Sequence, residues 1–237
     1  MIFLCFSGKD RYTIVQSVLY HLKNYGLEIW FDNHEYILGD HKTSKYTQAI
    51  INSKYTIVIL SKYFWNSEGA IEELEIIKKQ FINDKIHIFP ILYKIKASDV
   101  PKEFQWLTEL IYNELDDSTG TISTCNQILC KVLKDYIDEN EYYSLEYILK
   151  DNTFEYAFLK QTINNYNEIV EENHVCKITF LYAIYLYVSG QIDIPKNICK
   201  AINYIFKTTK LNINYNFKEI AIMEYLITIC LNQLYHL

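Results

Sequence analysis

The first 138 residues alternate short apolar runs with amphipathic segments of helical period. Four apolar runs have the length of β-strands: residues 2–6, 28–31, 55–60 and 86–92. The run "YTIVIL" is apolar at every position, which is typical of a central parallel strand because helices cover both of its faces. With a weak fifth strand near 108–112, the pattern predicts a doubly wound five-stranded parallel sheet in an α/β fold.

Amphipathic helices are predicted between these strands. The first begins after Asp10, a candidate N-cap, and ends at Gly26, since glycine commonly follows a helix C-terminus. A short helix is predicted near 43–52, and a longer helix follows the third strand as far as about Phe81. A last helix, from about 122 to 138, completes five β–α repeats.

The pattern changes at about residue 139. From Glu141 onward Gly190 is the only glycine, and long segments rich in Tyr, Ile and Leu have helical period. Helices are predicted near 141–150, 154–170, 174–188, 195–208 and 215–235. We therefore predict an α/β domain over 1–138 and a smaller all-α domain over 139–237 that serves sensing or oligomerisation.

Composition excludes several classes of protein. Half of the residues are apolar and 22% are charged, so a sizeable core is expected rather than disorder. The net charge of −6 gives no general attraction to nucleic acid or to an anionic membrane, and direct nucleic-acid binding is not expected. The longest apolar runs are far shorter than the ~20 residues that span a bilayer, so no membrane segment is expected.

The cysteines and glycines give no sign of a metal or a resident cofactor. The six cysteines form no C-x-x-C pair and have no histidine at ligand spacing, so we expect reduced core residues of a cytoplasmic protein and no metal site. The glycine patterns of phosphate loops and dinucleotide fingerprints are also missing.

A candidate carboxylate follows the third strand. The stretch "SKYFWNSEGAIEELE" (61–75) places four glutamates near a helix start: Glu68, Glu72, Glu73 and Glu75. Glu72 shares a mostly polar strip with Glu75, whereas Glu73 lies one turn after Gly69 and Ala70. We expect Glu73 at the edge of buried surface, where electrostatic interactions with a substrate cation are strong. An ordinary half-exposed helix glutamate is the open alternative.

Four segments of this half, in order and at matching spacing, resemble the boxes of the Toll/interleukin-1 receptor (TIR) domain family. They are "IFLCFSGKD" (2–10), "GLEIWFDNHEYILGD" (26–40), "INSKYTIVILSKYFWNSEGAIEEL" (51–74) and "IFPILYKIKASDVP" (88–101). The second segment contains the so-called BB loop, which closes at Gly39. The chain is thus similar to a prokaryotic-type TIR domain, with flavodoxin-like topology, followed by a helical domain.

The resemblance implies a catalytic role for Glu73 in cleaving the nicotinamide–ribose bond of NAD+, which would be a substrate and not a cofactor. The positions implied to bind this substrate are Phe6, Ser7, Arg11, Asp32 and Gly69. Gly69 stands where enzymatic members often have tryptophan, four residues before the glutamate. Arg11 comes slightly later than the arginines that some members place after the opening strand.

Partners and competing functions also follow from the resemblance. It implies an NAD+ glycohydrolase or cyclase, in bacterial anti-phage defence or signalling, that self-associates through Tyr36, Ile37 and Leu38 of the BB loop. The helical domain would bind a regulator. Two alternatives stay open: a non-enzymatic TIR adaptor or effector, and a receiver-like or nucleoside-transferase relative. Ser61 disfavours a receiver, because a phosphoacceptor aspartate is expected at that strand end.

Overall fold

The first half of the chain folds around one parallel sheet. The structure, a computed structural model, describes residues 1–31, 38–39, 41–150, 157–211 and 217–235. Five strands in these ranges form a sheet in the order β2-β1-β3-β4-β5. They are β1 (Ile2–Phe6), β2 (Ile29–Trp30), β3 (Tyr55–Leu60), β4 (His87–Tyr93) and β5 (Asn113–Leu115). This flavodoxin-like order confirms the predicted doubly wound sheet, with its switch point between β1 and β3.

The centre of the sheet follows from the apolar runs. All six residues of β3 are buried, as are all five of β1. In the ladder, Phe6 of β1 lies beside Ile59 of β3, and Ile59 lies beside Ile91 of β4. The ends of β1 and β3 therefore meet at one edge of the sheet.

The predicted position of the fifth strand is wrong by several residues. The run near 108–112 lies between the short helix Lys102–Thr108 and β5, and Ile111 is 95% exposed. The ladder to β4 begins at Asn113, which pairs with Ile91. β5 is a short edge strand with one buried residue, Leu115, so its sequence shows no apolar alternation.

Helices follow the strands along the chain at the predicted positions. They are α1 (Gln16–Asn24), α2 (Lys42–Ile51), α3 (Glu68–Ile82) and α4 (Ile122–Glu139). Gly26 follows α1 with φ of 75°, a left-handed conformation that glycine adopts without strain, and this confirms the predicted helix stop.

The core between the sheet and α3 fixes the rotation of that helix. Leu74 and Ile77 of α3 are buried in one cluster with Phe3 of β1 and Tyr46 of α2. Phe3 also stacks on Trp30, with ring centres 4.8 Å apart. Leu74 and Ile77 set the buried stripe of α3. Glu73, which directly precedes Leu74, therefore lies at the rim of the core.

The chain divides into two compact units. One contains Met1–Lys23 and Leu27–Cys125, and the other contains Asn24–Gly26 and Asn126–Leu237. The division falls inside α4, earlier than the predicted boundary at 138/139. That boundary stays a prediction about which shortened chain folds by itself.

The second unit is helical, as predicted. After α4 the described residues form α5 (Leu145–Lys150), α6 (Ala157–Asn167), α7 (His174–Ser189), α8 (Lys196–Leu211) and α9 (Phe217–Tyr235). Buried Asn232 of α9 holds the segment before α5: its side chain accepts a hydrogen bond from Tyr143 N and donates one to Tyr143 O, both at 2.9 Å. Of the helices described, none combines the length and apolar character needed to cross a membrane.

Candidate active site

The turn after β1 brings a cation back over the end of the strand. Inside the turn Arg11–Val15 the backbone leaves helical geometry at Thr13, with φ −110° and ψ −107°. The Arg11 guanidinium lies 5.3 Å from the ring centre of Phe6 and 5.2 Å from that of Phe31. These two rings stack on each other with centres 5.8 Å apart. A cation over two aromatic faces is held in place while it stays charged.

Glu73 lies in the second turn of α3 and is half-buried. The other three glutamates of the helix start are exposed. Glu73 directly precedes buried Leu74 and follows buried Ala70 by three residues, so its stem packs along the rim of the core. Its carboxylate is therefore partly removed from water, where charge–charge interactions are stronger than in bulk solvent.

The neighbouring Glu72 has a different environment. Buried Tyr46 of α2 donates a hydrogen bond to Glu72 Oε2 at 2.9 Å. Burial is the main cause that raises the pKa of Tyr46, and the charges of Glu72 and Glu73 add to it. Glu72 thus joins α2 to α3, while Glu73 lies next to the buried stripe of the helix.

A cavity of about 230 Å³ lies at the carboxyl end of β1, the edge where doubly wound sheets bind ligands. Its described lining includes a carboxylate, two cations, two aromatic rings and the glycine of α3: Glu73, Arg11, Lys42, Phe6, Trp30 and Gly69. Opposite charges beside flat apolar surfaces suit a ligand that has both ionic groups and rings.

The cavity brings together four of the predicted site residues: Phe6, Arg11, Gly69 and Glu73. Ser7 is not among the residues that line it. Its side chain is buried, and its backbone carbonyl accepts the hydrogen bond of Asp10 N at 2.8 Å. Asp32 lies outside the described residues.

The predicted association loop is described only in part. Tyr36 and Ile37 lie outside the described residues, whereas Leu38 is described and fully exposed, at 104% of its reference area. Gly39 beside it has φ of 97°. A large apolar side chain without cover fits a contact surface. The role of this loop stays a prediction.

Cys5 lies beneath the carboxylate of Glu73. The Cys5 thiol is fully buried in β1, and its sulfur lies 3.5 Å from the backbone oxygen of Ala70. Burial is the largest cause that raises the pKa of Cys5 well above 9.0, followed by the charge of Glu73 and a hydrogen bond to it. The thiol therefore stays protonated, with Ala70 O as its hydrogen-bond acceptor and the candidate catalytic carboxylate nearby.

The prediction that Asp10 caps the first helix is wrong. Its side chain makes no capping bond and instead accepts a hydrogen bond from Ser61 Oγ at 2.6 Å. Ser61 Oγ in turn accepts from Tyr63 N at 3.1 Å. Burial raises the pKa of Asp10, and the bond from Ser61 partly opposes this. Asp10 thus joins the ends of β1 and β3 next to the cavity.

Among the lining side chains that sequence reasoning missed are Lys42 and Trp30. Lys42 starts α2, and its Nζ lies 3.5 Å from the position that a Cβ on Gly69 would take. A basic residue just after the loop that closes at Gly39 is the signal that could have found Lys42. Trp30 ends the short strand β2, and an aromatic residue at a strand end is a comparable signal.

The described residues offer no metal centre. Within the ranges given above, no group of three or more His, Cys, Asp or Glu side chains is placed to hold an ion. All six cysteines are free thiols.

Comparison with known proteins decides the family. The family model described as "TIR domain" matches residues 2–127, more than half of the chain. The chain belongs to the TIR domain family. The five-stranded sheet and the cavity at the end of β1 both lie within the matched residues, and the helical unit follows them along the chain.

Two curated relatives of this TIR domain are named for NAD+ chemistry. "Probable 2' cyclic ADP-D-ribose synthase TcpB" of Brucella melitensis is 29% identical over 98 residues, which is 41% of this chain and 39% of the relative. "NAD(+) hydrolase TcpA" of a Theionarchaea archaeon is 28% identical over 130 residues, 54% of this chain and 38% of the relative. The match thus spans about two fifths of each relative's length.

A solved structure is also similar to the TIR domain of this chain. The TIR domain of the Toll-related receptor TRR-2 from Hydra magnipapillata matches with a TM-score of 0.41 and 24% identity. The match covers 50% of this chain and 84% of that one.

Proposed function

We propose that this TIR protein cleaves the nicotinamide–ribose bond of NAD+, with Glu73 as the catalytic residue. The single observation behind the proposal is the cavity in which a half-buried carboxylate faces two cations and two aromatic rings. The relatives named NAD(+) hydrolase and cyclic ADP-D-ribose synthase support this substrate.

One carboxylate suffices for this chemistry. When the bond between ribose C1′ and the nicotinamide nitrogen breaks, its electron pair goes to that nitrogen and neutralises the pyridinium ring. The leaving group therefore needs no proton, unlike the alkoxide in glycoside hydrolysis. Positive charge develops on C1′ and the ring oxygen. Glu73 stabilises this charge, and its partial burial makes the stabilisation stronger.

The second half of the reaction determines the product. In hydrolysis a water oxygen bonds to C1′ and loses its proton, giving ADP-ribose. In cyclisation a hydroxyl of the same molecule bonds to C1′ instead, giving a cyclic ADP-ribose. Both products are consistent with this site, since both need the same carboxylate and the same bound dinucleotide.

The remaining proposals concern the setting of the reaction. We propose that the protein works in the cytoplasm in bacterial anti-phage defence or signalling, and that the helical domain binds a regulator or sets the assembly. Self-association through Tyr36, Ile37 and Leu38 would place this loop against a second copy. Full exposure of Leu38 supports that part.

The test is to incubate the purified protein with NAD+ over a wide range of protein concentrations and to follow free nicotinamide. NADH is the matched control substrate, because its reduced ring carries no positive charge and is a poor leaving group. We expect release from NAD+ and none from NADH, with ADP-ribose or a cyclic form as the second product.

The alternative is a TIR adaptor that acts only by association. Gly69 favours it, because enzymatic members often have tryptophan there. If no nicotinamide is released at any concentration, including concentrations at which light scattering shows assemblies, the adaptor is the function and the enzyme proposal is wrong.

A further inference from the structure

We propose that Lys42 is a substrate-positioning residue whose ammonium binds a phosphate of the dinucleotide, in space that Gly69 leaves open. The inference rests on the proposed NAD+ site and names a second part of it. It follows from the proximity of Lys42 in α2 to Gly69 in α3, which are 27 residues apart along the chain.

The geometry around Gly69 is the first step. A Cβ built on Gly69 would have one neighbour within 4 Å, the Nζ of Lys42 at 3.5 Å. The methyl group of an alanine would only touch the ammonium, but a longer side chain would occupy its place. Glycine at the start of α3 thus keeps open the position that Lys42 Nζ takes, and both residues line the cavity.

The distance to the catalytic group is the second step. Gly69 and Glu73 are four residues apart in α3, so they lie on one face of the helix about 6 Å apart along its axis. The Lys42 ammonium lies beside Gly69 at one end of this interval, and Glu73 is at the other end. A ribose bound with C1′ at Glu73 points its 5′ carbon, which carries the phosphate, away from C1′ and across that interval.

The charges of the cavity are the third step. Among the residues that the structure describes, its lining has two cations, Arg11 and Lys42, and one anion, Glu73. The Arg11 guanidinium is held over the rings of Phe6 and Phe31. Lys42 is on another helix and is exposed, so its flexible stem can follow a phosphate as a point charge. A mobile cation of this kind suits a diphosphate better than it suits the pyridinium ring.

The experiment uses the full chain, three lysine variants and Gly69→Leu. Lys42→Gln removes the charge, Lys42→Arg restores it, and Lys79→Gln makes the same charge change at an exposed site on α3 that does not line the cavity. The measurements are KM and kcat for NAD+, and the Kd of ADP-ribose by calorimetry at low and high salt. ADP-ribose retains the diphosphate and lacks the scissile bond.

We expect Lys42→Gln to raise KM and the Kd of ADP-ribose about 5- to 30-fold, as for the loss of one solvent-accessible charge-assisted contact, with kcat nearly unchanged. Lys42→Arg should recover most of the affinity, and Lys79→Gln should match wild type. The affinity of the Lys42→Gln variant should also depend less on salt. Gly69→Leu should weaken ADP-ribose binding as well, because leucine takes the place of the ammonium.

The outcomes separate this inference from the proposed function. If Lys42→Gln leaves the Kd of ADP-ribose unchanged, or lowers kcat with unchanged affinity, the inference is wrong whether or not NAD+ is cleaved. If wild type binds ADP-ribose through Lys42 but releases no nicotinamide, the phosphate site stands and the enzyme proposal fails.

Discussion

Replacing Cys5 tests whether the buried layer under Glu73 serves activity separately from stability. The thiol is fully buried, donates a hydrogen bond to Ala70 O at 3.5 Å, and lies close enough to Glu73 for that carboxylate to raise its pKa. Cys5→Ala removes one heavy atom and this donor. Cys5→Ser keeps a donor of nearly the same shape. The two variants therefore differ in whether a polar donor lies beside the carboxylate.

The magnitudes follow from these contacts. When one buried heavy atom is removed and neighbouring side chains do not fill the space, the free energy of unfolding falls by about 0.5–1.5 kcal/mol, as for Ile→Val. A thiol is a weak donor, so its bond to a carboxylate contributes about 1 kcal/mol, or about fivefold in an equilibrium constant. Without this donor the carboxylate holds a proton more easily. We expect the acidic limb of the pH–rate profile of Cys5→Ala to move to higher pH.

The assay is nicotinamide release from about pH 4.5 to pH 8, beside urea unfolding followed by tryptophan fluorescence. All three tryptophans, Trp30, Trp65 and Trp106, lie in the first compact unit, so the fluorescence reports on the unit that contains the site. Cys5→Ser should be destabilised too, because a hydroxyl is costlier to bury, yet it should keep the wild-type pH profile. If the acidic limb of the pH–rate profile is at the same pH in Cys5→Ala and in wild type, this role of the thiol is refuted.

Three further predictions concern the surroundings of the site. Burial raises the pKa of Asp10 above 3.8 in the folded protein. The contribution of this group to the free energy of unfolding is therefore fully present below pH 3.8 and is lost as the pH rises through the raised pKa. Asp10→Asn should therefore gain stability relative to wild type between about pH 4 and pH 7 in urea unfolding; a constant difference would contradict this. Leu38→Asp should lower both light scattering and specific activity at high concentration, and constant specific activity in a strictly monomeric wild type would exclude the association. A chain ending at residue 138 should unfold cooperatively in urea by itself, whereas insolubility of every truncation between 136 and 145 would mean that the two domains share one core.

The strands of the sheet could be predicted because burial on both faces leaves uninterrupted apolar runs. β3 is the plainest case, since all six of its residues are buried. β5 could not be placed by the same signal. It is an edge strand of three residues, two of them polar, while exposed Ile111 lies in the apolar run just before it. Apolar character alone does not separate a covered residue from an exposed one.

Parts of the candidate site could be predicted where a site residue and the neighbours that bury it lie in the same helix. The half-burial of Glu73 follows from the period of α3, since its neighbours Ala70 and Leu74 are in the same helix. The contacts of Cys5 with Ala70 and of Lys42 with Gly69 join different elements. They depend on how the sheet and helices pack, which the spacing along the chain does not reveal. For the same reason Asp10 was assigned a local cap, although its partner Ser61 is 51 residues away.

The comparison of Glu73→Gln with Glu72→Gln tests the central claim most directly. Both variants lose one negative charge at adjacent positions of α3. Glu72 has a structural partner in Tyr46, and a glutamine there can still accept that hydrogen bond. Glu73 lines the cavity. The measurement is kcat for nicotinamide release from NAD+, with circular dichroism to show that each variant is folded.

We expect Glu73→Gln to lower kcat by about 10²- to 10³-fold, as for removal of a group that stabilises charge in the transition state, and Glu72→Gln to stay within about threefold of wild type. Full activity in a folded Glu73→Gln variant, or loss of activity in Glu72→Gln alone, would contradict the assignment of Glu73 as the catalytic carboxylate.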